Sequence, residues 1–267
     1  MHVLRTALVA LAVVVSLNVA TPAQQNLTLS LFERSLEQLR QESGIPGLSV
    51  AVVQGNSVWH RGFGMADVER SIPAAAETPY PVGDLTQTLA ATLVLQQVER
   101  GWFDLDDRIE RWSRMIPERA ATVEQVLMHT STGAYRYEPA RFAELTPVVE
   151  QYSKVPFRKA LAHEILDRFA MHDSVPGHDM EQPAVVDLPF FEQDALNRYA
   201  DAVRRLAVPY RVDSRRRAIR SEYPPRSITA GTGLISSVRD LARFDRALDD
   251  PDALLETATM ATMWRVP

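Results

Sequence analysis

The sequence predicts an α+β fold in which a short β region comes first and a mainly helical region follows. Two stretches with β-strand character flank Gly55-Asn56 and indicate an early hairpin. Downstream of residue 81, apolar residues recur at helical spacing in several separate segments. Strands that precede a run of helices are typical of the α+β class.

The first elements can be read in order from the N-terminal side. Apolar residues follow roughly helical spacing over residues 29–42, and Gly44-Ile45-Pro46-Gly47 ends that pattern. Residues 48–53 and 57–63 are the two strands of the hairpin. Residues 72–81 are rich in Ala and Pro, so we expect a loop there.

The region downstream of residue 81 has mainly helical spacing of its apolar residues. Leu85, Leu89 and Leu93 start a continuous apolar face that ends at Arg100-Gly101, which predicts a buried helix after Asp84. Thr122 is expected to cap a short helix over residues 123–128. Further helices are predicted over residues 141–151, 157–169, 193–206 and 238–248.

The N-terminal segment is typical of a secretory signal. His2 and Arg5 precede an apolar run over residues 7–17, and small residues follow up to Ala23. We therefore expect residues 1–23 to be a signal peptide and the chain to be periplasmic or secreted, without a stable membrane span after cleavage. A retained membrane anchor is the alternative, although the apolar run is short for one. The remaining residues, 24–267, are expected to form one domain.

Composition argues against two kinds of function. The net charge is -5, and the only lysines are Lys154 and Lys159. Nucleic-acid affinity depends mostly on concentrated Lys and Arg, so a general polyanion binder is not expected. The chain has no cysteine, which excludes thiol catalysis.

Four landmarks occur in order along the chain. They are Gly44-Ile45-Pro46-Gly47 with Gly62-Phe63-Gly64, the helix that follows Gly83 and ends at Gly101, the turn His129-Thr130-Ser131-Thr132-Gly133, and Ala230-Gly231-Thr232-Gly233 before the helix through Phe244. Their order and spacing resemble the serine β-lactamase-related family, which includes class C β-lactamases, DD-peptidases and related esterases. The resemblance implies a β-lactamase/transpeptidase-like fold, with an antiparallel sheet of early and late strands beside an all-helical lobe.

The family's reactive residues are replaced at the matching positions. Asp84 stands where the resemblance implies the nucleophilic serine, and Gln87 stands where it implies the lysine of Ser-x-x-Lys. Tyr137 matches the loop tyrosine, but Pro139 falls where asparagine is expected. We therefore expect no active catalytic residues at the family-equivalent pocket positions Asp84, Gln87 and Tyr137.

The resemblance also implies a late Lys-Thr-Gly-like strand that the sequence does not contain. We expect the C-terminal sheet strands to be missing and only the two early strands to be present. Residues 24–80 would then hold the first helix and the hairpin, and residues 81–267 the mainly helical lobe. The sheet side is expected to be exposed, mobile or completed by another chain.

Asp84 and Gln87 also have a structural interpretation. Asp at the N-cap with Gln at N3 is close to a capping box, and we favour this role over an aspartate nucleophile. Tyr137 is either a pocket residue or half of an aromatic pair with Tyr135. For His129 we expect a turn or packing role rather than a general base.

Two further clusters of charged residues each have two interpretations. The pairs His172-Asp173 and His178-Asp179 suit zinc chemically, but a loop is favoured, so neither a metal nor a cofactor is expected. The arginine-rich stretch 211–220 either touches an anionic envelope component or forms a solvated helix face, and the helix face is favoured.

Three hypotheses about function follow. The favoured one is an exported pseudoenzyme of this family that binds a peptidoglycan-like or small ester or amide ligand near Asp84 and Tyr137. The second is a hydrolase that uses an unrecognised nucleophile for β-lactam, peptide or ester acyl transfer. The third is a non-catalytic envelope protein whose sheet edge pairs with a partner strand. The sequence leaves the oligomeric state open.

Overall fold

The computed structural model describes residues 22–182, 188–223 and 227–264. The predicted signal peptide therefore lies almost entirely outside the described residues. Within those ranges, no helix combines the length and apolar character needed to cross a membrane. The elements in chain order are α1 (Pro22–Ser43), β1 (Gly47–Gln54), β2 (Ser57–Asp67), β3 (Ile72–Pro73), β4 (Tyr80–Gly83), α2 (Thr86–Glu99), α3 (Val123–Leu127), α4 (Pro139–Phe142), α5 (Thr146–Ser153), α6 (Phe157–Leu161), α7 (Gln193–Arg204), β5 (Tyr210–Val212), β6 (Ala218–Arg220), β7 (Leu234–Ser236), α8 (Val238–Asp249) and α9 (Thr257–Met263).

The predicted hairpin is confirmed. Strands β1 and β2 pair in antiparallel fashion from Gly47 opposite Gly64 to Gln54 opposite Ser57, and β3 adds a short third strand. Gly62 lets the chain pass closely over this sheet, because a Cβ atom there would lie 2.0 Å from the carbonyl oxygen of Ala74. Helix α8 packs against β1, and α1 packs against β2.

The expectation that only two strands would be present is wrong for the described residues. Strands β4 and β7 form a two-stranded ribbon, and Val175 is joined to Ile235 of β7 by an isolated bridge. Strands β5 and β6 form a second ribbon. These four strands have three or four residues each, which is too short for a period-two pattern to be recognised in the sequence.

Helix α2 lies at the centre of the hydrophobic core, as its apolar face predicts. Leu89, Ala90, Leu93 and Val94 are almost completely buried. The helix packs against α5 and α6. Truncation of such a side chain to alanine typically costs about 2–5 kcal/mol, because it leaves a cavity in a close-packed core. The helix is therefore a rigid base for the residues at its N-terminal end.

The two helices predicted over residues 141–151 and 157–169 are interrupted. The first is split into α4, a 3₁₀ turn at residues 143–145, and α5, in which Pro147 occupies the first turn. A proline fits the first turn of a helix but not its interior, so it sets the break. The second consists of α6 followed by a π-helical segment over residues 162–167.

A buried polar network fixes α8 to its surroundings. The Asp240 carboxylate is fully buried and accepts hydrogen bonds from the backbone of Asp173 at 2.7 Å and from the Ser174 hydroxyl at 2.9 Å. Its other oxygen pairs with Arg243 at 2.9 Å. Ser174 also lies 2.8 Å from the hydroxyl of Ser236 in β7. The network thus joins α8, the loop at residues 173–174 and the β4–β7 ribbon.

Candidate functional site

The segment before α2 makes a tight turn out of β4. Gly83 has a φ of 57°, a left-handed conformation that glycine adopts without steric cost. Thr86 is fully buried, and its hydroxyl donates to the Gly83 carbonyl at 2.6 Å and accepts from the Leu234 backbone at 3.1 Å. The turn is therefore fastened to both strands of the β4–β7 ribbon.

The predicted capping box at Asp84 and Gln87 is wrong. The N-cap position of α2 is Leu85, and no side chain caps it. The Asp84 side chain instead accepts a hydrogen bond from a residue far away in sequence, and Gln87 turns into the protein interior. Local spacing suggested the cap, but tertiary partners for both side chains override it. By contrast, the predicted cap at Thr122 is confirmed, as a capping box with Gln125.

The three sequence-predicted pocket positions lie together. The Tyr137 hydroxyl donates to Asp84 Oδ2 at 2.7 Å, and Gln87 Nε2 donates to the Tyr137 oxygen at 3.3 Å. Burial raises the pKa of the Tyr137 phenol, and the hydrogen bond to the Asp84 carboxylate raises it further. Asp84 and Tyr137 are both exposed, so this end of the site faces solvent.

Gln87 is the buried centre of the site. Its Nε2 also donates to the carbonyl oxygen of Gly231 at 3.3 Å, and its Oε1 lies 3.0 Å from His129 Nε2. The Glu138 backbone donates to His129 Nδ1 at 3.4 Å, which assigns the proton of the neutral ring to Nε2. Burial lowers the pKa of His129, and the nearby charge of Asp84 partly opposes that shift.

His129 has a structural role that was predicted and a site contact that was not. It lies in a turn with a φ of 55°, and its backbone carbonyl accepts from the Arg136 amide at 2.7 Å. The ring lies 4.7 Å from the ring of Tyr137 and 5.3 Å from that of Phe142. A histidine with positive φ is uncommon, so this turn places the imidazole beside Gln87 at some cost in backbone energy.

Gly231 is a second site residue that sequence reasoning missed. A Cβ atom on it would lie 2.4 Å from the carbonyl oxygen of Pro139, so only glycine allows this approach. Pro139, which stands where the family resemblance implies asparagine, begins α4 and presents its backbone here. The small residues around position 231 indicate a close approach of the backbone. The sequence does not show that Gln87 is the residue they contact, because the two segments lie far apart along the chain.

Both lysines make their described contacts away from the site around Gln87. Lys154 ends α5 in a left-handed conformation, and the Lys159 ammonium lies 5.1 Å from the centre of the Phe191 ring. Ser49 lies in β1, where its hydroxyl donates to the Ala75 carbonyl at 2.7 Å. In the described contacts, the site around Gln87 therefore combines a carboxylate, a phenol, an amide and a neutral imidazole.

The carboxylates of the two His-Asp pairs form salt bridges with arginines. Arg205 and Arg239 pair with the Asp173 carboxylate, and Arg158 pairs with Asp179. No group of three or more potential ligands is arranged for a metal within the described residues. The helix face expected for the arginine-rich stretch is wrong, since residues 211–220 lie on the β5–β6 ribbon and its turn.

Comparisons with known proteins agree on one family. The family model described as Beta-lactamase matches residues 32–266, and the chain therefore belongs to the Beta-lactamase family. Protein Rv1367c of Mycobacterium tuberculosis is 24% identical over 236 residues, covering 70% of this chain and 57% of that protein. The mitochondrial serine beta-lactamase-like protein LACTB of Homo sapiens is 32% identical over 96 residues, covering 36% of this chain and 18% of that protein.

Solved structures agree with the fold. The octameric penicillin-binding protein homologue of Pyrococcus abyssi superposes with a TM-score of 0.71 at 20% identity, covering 90% of this chain and 61% of that chain. A class C beta lactamase from Rhodobacter sphaeroides gives a TM-score of 0.65 at 17% identity, covering 86% and 68% respectively. The β-lactamase/transpeptidase-like fold predicted from the sequence is confirmed. The chain spans less than two thirds of the lengths of both relatives named above and of the Pyrococcus chain.

Proposed function

We propose that this chain is an exported member of the family that has lost acyl-transfer catalysis and keeps the site around Asp84 for reversible ligand binding. The observation that carries the proposal is the pair of side chains at the start of α2. Asp84 is bonded to Tyr137, and Gln87 is held at both ends of its amide. Acyl transfer in this family depends on a serine and a lysine at these two positions.

The chemistry of the replacements supports the proposal. A carboxylate that already accepts a phenolic hydrogen is a weak nucleophile toward an ester or amide, and no described base activates it. The amide of Gln87 is neither protonated nor deprotonated near neutral pH, so it cannot serve as the base that lysine provides. Loss of a catalytic serine alone typically lowers turnover by a factor of about one million.

The exposed end of the site fits a polar ligand. Asp84 offers carboxylate oxygens, and Tyr137 offers a hydroxyl that can donate or accept. Peptidoglycan-like peptides and small esters or amides carry matching amide, hydroxyl and carbonyl groups. The typical signal segment at residues 1–23 supports export to the periplasm or the medium, where such ligands occur.

A covalent-labelling experiment tests the loss of catalysis. The purified protein is incubated with a fluorescent penicillin and, separately, with an activated p-nitrophenyl ester, and its intact mass is then measured. We expect no adduct and no hydrolysis above the rate of an Asp84→Ala control. An adduct on the wild-type chain would overturn the proposal and favour the hydrolase with an unrecognised nucleophile.

Reversible binding is tested separately by NMR titration with a soluble muropeptide. Shifts are expected for the Gln87 side-chain amide and the Tyr137 ring, and the shift of the Gln87 amide should be lost in Tyr137→Phe. Saturable shifts confined to other parts of the molecule would contradict the site assignment.

Export is tested by expression of the full sequence in a bacterial host, followed by fractionation and N-terminal sequencing. We expect a periplasmic or extracellular product that begins at Gln24. A product that keeps Met1 and sediments with membranes would instead support the retained anchor.

A further inference from the structure

Strand β1 lies at the edge of the first sheet. It pairs with β2, and the sheet has the order β1-β2-β3. The register runs without a shift from Gly47 opposite Gly64 to Gln54 opposite Ser57. Within the part of the chain that the structure describes, the other edge of β1 therefore pairs with no strand. We call it the outer edge of β1.

The hydrogen bonds of the hairpin show which backbone groups of β1 face the outer edge. The Met65 amide donates to the Pro46 carbonyl at 2.8 Å, so positions 46 and 65 are opposite each other at a hydrogen-bonded site. Backbone groups alternate in direction along an antiparallel strand. The even-numbered residues of β1 therefore bond to β2, and the odd-numbered residues point their N–H and C=O groups outward. The outward-facing residues are Gly47, Ser49, Ala51 and Val53.

The outward backbone groups are available for pairing. Among the described contacts, no hydrogen bond uses the backbone N–H or C=O groups of these four residues. Ser49 is bonded through its side chain, whose hydroxyl donates to the Ala75 carbonyl at 2.7 Å. None of the eight residues of β1 is fully buried. A row of unpaired groups on an accessible strand is a template for pairing with a further strand.

The outer edge of β1 also lacks the features that protect a strand edge from pairing. Residues 47–54 contain no charged residue and no proline, and their pairing with β2 has no bulge. The other edges of these short sheets carry such features. Strand β2 contains Arg61, and β3 is the dipeptide Ile72-Pro73. Arg211 lies in β5, and Arg220 lies in β6.

We propose that the outer edge of β1 pairs in antiparallel fashion with β1 of a second copy of this chain, which joins two three-stranded sheets into one. A two-fold axis at Val50 places Ser49 of one copy opposite Ala51 of the other. The same axis places Gly47 opposite Val53. Every outward residue then meets an outward residue, and about eight backbone hydrogen bonds form. Val50 meets its own counterpart at the close, non-hydrogen-bonded position, where a pair of β-branched side chains is favourable.

The symmetry of this register selects a second copy as the partner. A two-fold interface uses the same surface on both molecules, so the surface must complement itself. The outer edge meets this condition because it carries no charge and its donors and acceptors match under the two-fold rotation. A strand of a different protein is the other possible occupant, and the experiments below distinguish it from a second copy.

This inference goes beyond the proposed function and does not rest on it. The described hydrogen bonds of the site join Asp84, Gln87, His129 and Tyr137 and include no residue of β1. Covalent labelling and muropeptide titration report on that site, whereas self-association reports on the outer edge. Either proposal can therefore fail while the other holds.

Self-association and amide exchange test the proposal together. Analytical ultracentrifugation of the purified chain over about 1 µM to 1 mM should show a reversible equilibrium between monomer and dimer. Residue-resolved amide exchange, read by mass spectrometry, then locates the interface. The amides of Ser49, Ala51 and Val53 should exchange slowly only at concentrations at which the dimer is populated. Those of Val50 and Val52 should exchange slowly at every concentration, because they bond to β2.

Three results would overturn the proposal. The first is a chain that stays monomeric over the whole range, including one whose outer edge binds only a strand of a different protein. The second is a dimer whose outward amides still exchange fast, because its interface then lies elsewhere. The third is slow exchange of the outward amides in the monomer, because the edge is then already covered.

Variants of β1 give an independent test. Ala51→Pro removes an outward N–H group and no bond to β2, and proline is tolerated at such an edge position. It should weaken the dimer at least about tenfold, because two symmetry-related hydrogen bonds are lost. Val52→Lys places a charge at an exposed position of the same strand and should also weaken the dimer.

His60→Lys is the matched control for the added charge. His60 is exposed and lies opposite Ala51 on β2, away from the outer edge, so this variant should dimerise like the wild type. Thermal unfolding confirms that each variant is folded. Dimerisation that is unchanged in both Ala51→Pro and Val52→Lys would refute the proposal.

Discussion

Asp84 and Tyr137 are joined by a hydrogen bond between residues 53 positions apart, and this contact gives the exposed end of the site its character. The carboxylate holds the phenolic proton, so Tyr137 remains a neutral donor over a wider pH range than a free tyrosine. In the same site, Gln87 and His129 hold each other in fixed orientations. These side chains form a connected polar site in which the hydrogen-bonding groups orient one another.

The titration of Tyr137 tests this contact. Asp84→Asn should lower the pKa of the Tyr137 phenol, because the substitution removes the negative charge that opposes the phenolate and adds an amide N–H group that can donate to it. The contribution from burial should remain. The measurement is NMR of ¹³C-labelled tyrosine, with the Tyr137 signal assigned by Tyr137→Phe.

Tyr199 provides the control for that titration. Burial raises the pKa of Tyr199 to about 12, and this residue lies on α7, away from Asp84. Its titration should be the same in the wild type and in Asp84→Asn. A Tyr137 titration that also stays unchanged would show that the hydrogen bond to Asp84 does not form in solution.

At the scale of elements, the start of α2 is held by Thr86 rather than by Asp84. The buried Thr86 hydroxyl links the helix to both strands of the β4–β7 ribbon. Thr86→Val keeps the shape but leaves the Leu234 amide and the Gly83 carbonyl without this partner, so it should cost about 1–3 kcal/mol. Asp84→Ala, at an exposed position, should cost about 0.5 kcal/mol or less. Urea unfolding measures both values.

Thr86→Ser is the matched variant for that comparison, because it keeps the hydroxyl and removes only a methyl group. Its free energy of unfolding should lie closer to the wild-type value than that of Thr86→Val. If Asp84→Ala proved the more destabilising change, a capping role for Asp84 would regain support.

Elements with strong periodic patterns could be predicted, whereas contacts between distant segments could not. The hairpin, α2, α8 and the cap at Thr122 follow from spacing and local hydrogen bonding. The β4–β7 ribbon depends on pairing between short segments that lie more than 150 residues apart. For the same reason, the sequence predicts a local cap for Asp84 and Gln87 and does not indicate that His129 and Gly231 belong to the site.

At the scale of the whole molecule, the Asp240 network connects the interior to the site. Asp240 holds Ser174, which contacts Ser236 of β7, and β7 pairs with the strand that leads into Asp84. Of the carboxylates in this region, Asp173 is paired with Arg205 and Arg239, whereas Asp240 is fully buried with Arg243 at one oxygen. Burial raises the pKa of Asp240 above its usual value of 3.8, and the charge of Asp173 adds to the increase.

The raised pKa of Asp240 makes the free energy of unfolding depend on pH in a defined direction. The folded state holds the Asp240 proton more tightly than the unfolded state, so its contribution is fully present below the unfolded pKa of 3.8. The contribution is lost as the pH rises through the higher folded pKa. Most other shifted carboxylates act in the opposite direction, because their pKa values are lowered by arginines, as for Glu37 and Glu118. The overall pH profile therefore hides the Asp240 contribution unless that residue is changed.

A comparison with Asp240→Asn isolates the contribution of Asp240 to the pH dependence of stability. The free energy of unfolding is measured by urea for both proteins from about pH 3.5 to 7.5, and the wild-type value minus the variant value should fall as the pH rises. Asp245→Asn, at an exposed position on the same helix, controls for a general effect of charge on α8. A difference that rises with pH would mean that the hydrogen bonds from Asp173, Ser174 and Arg243 outweigh burial. In that case the network would stabilise the ionised carboxylate, and the link from α8 to the site would strengthen rather than weaken toward neutral pH.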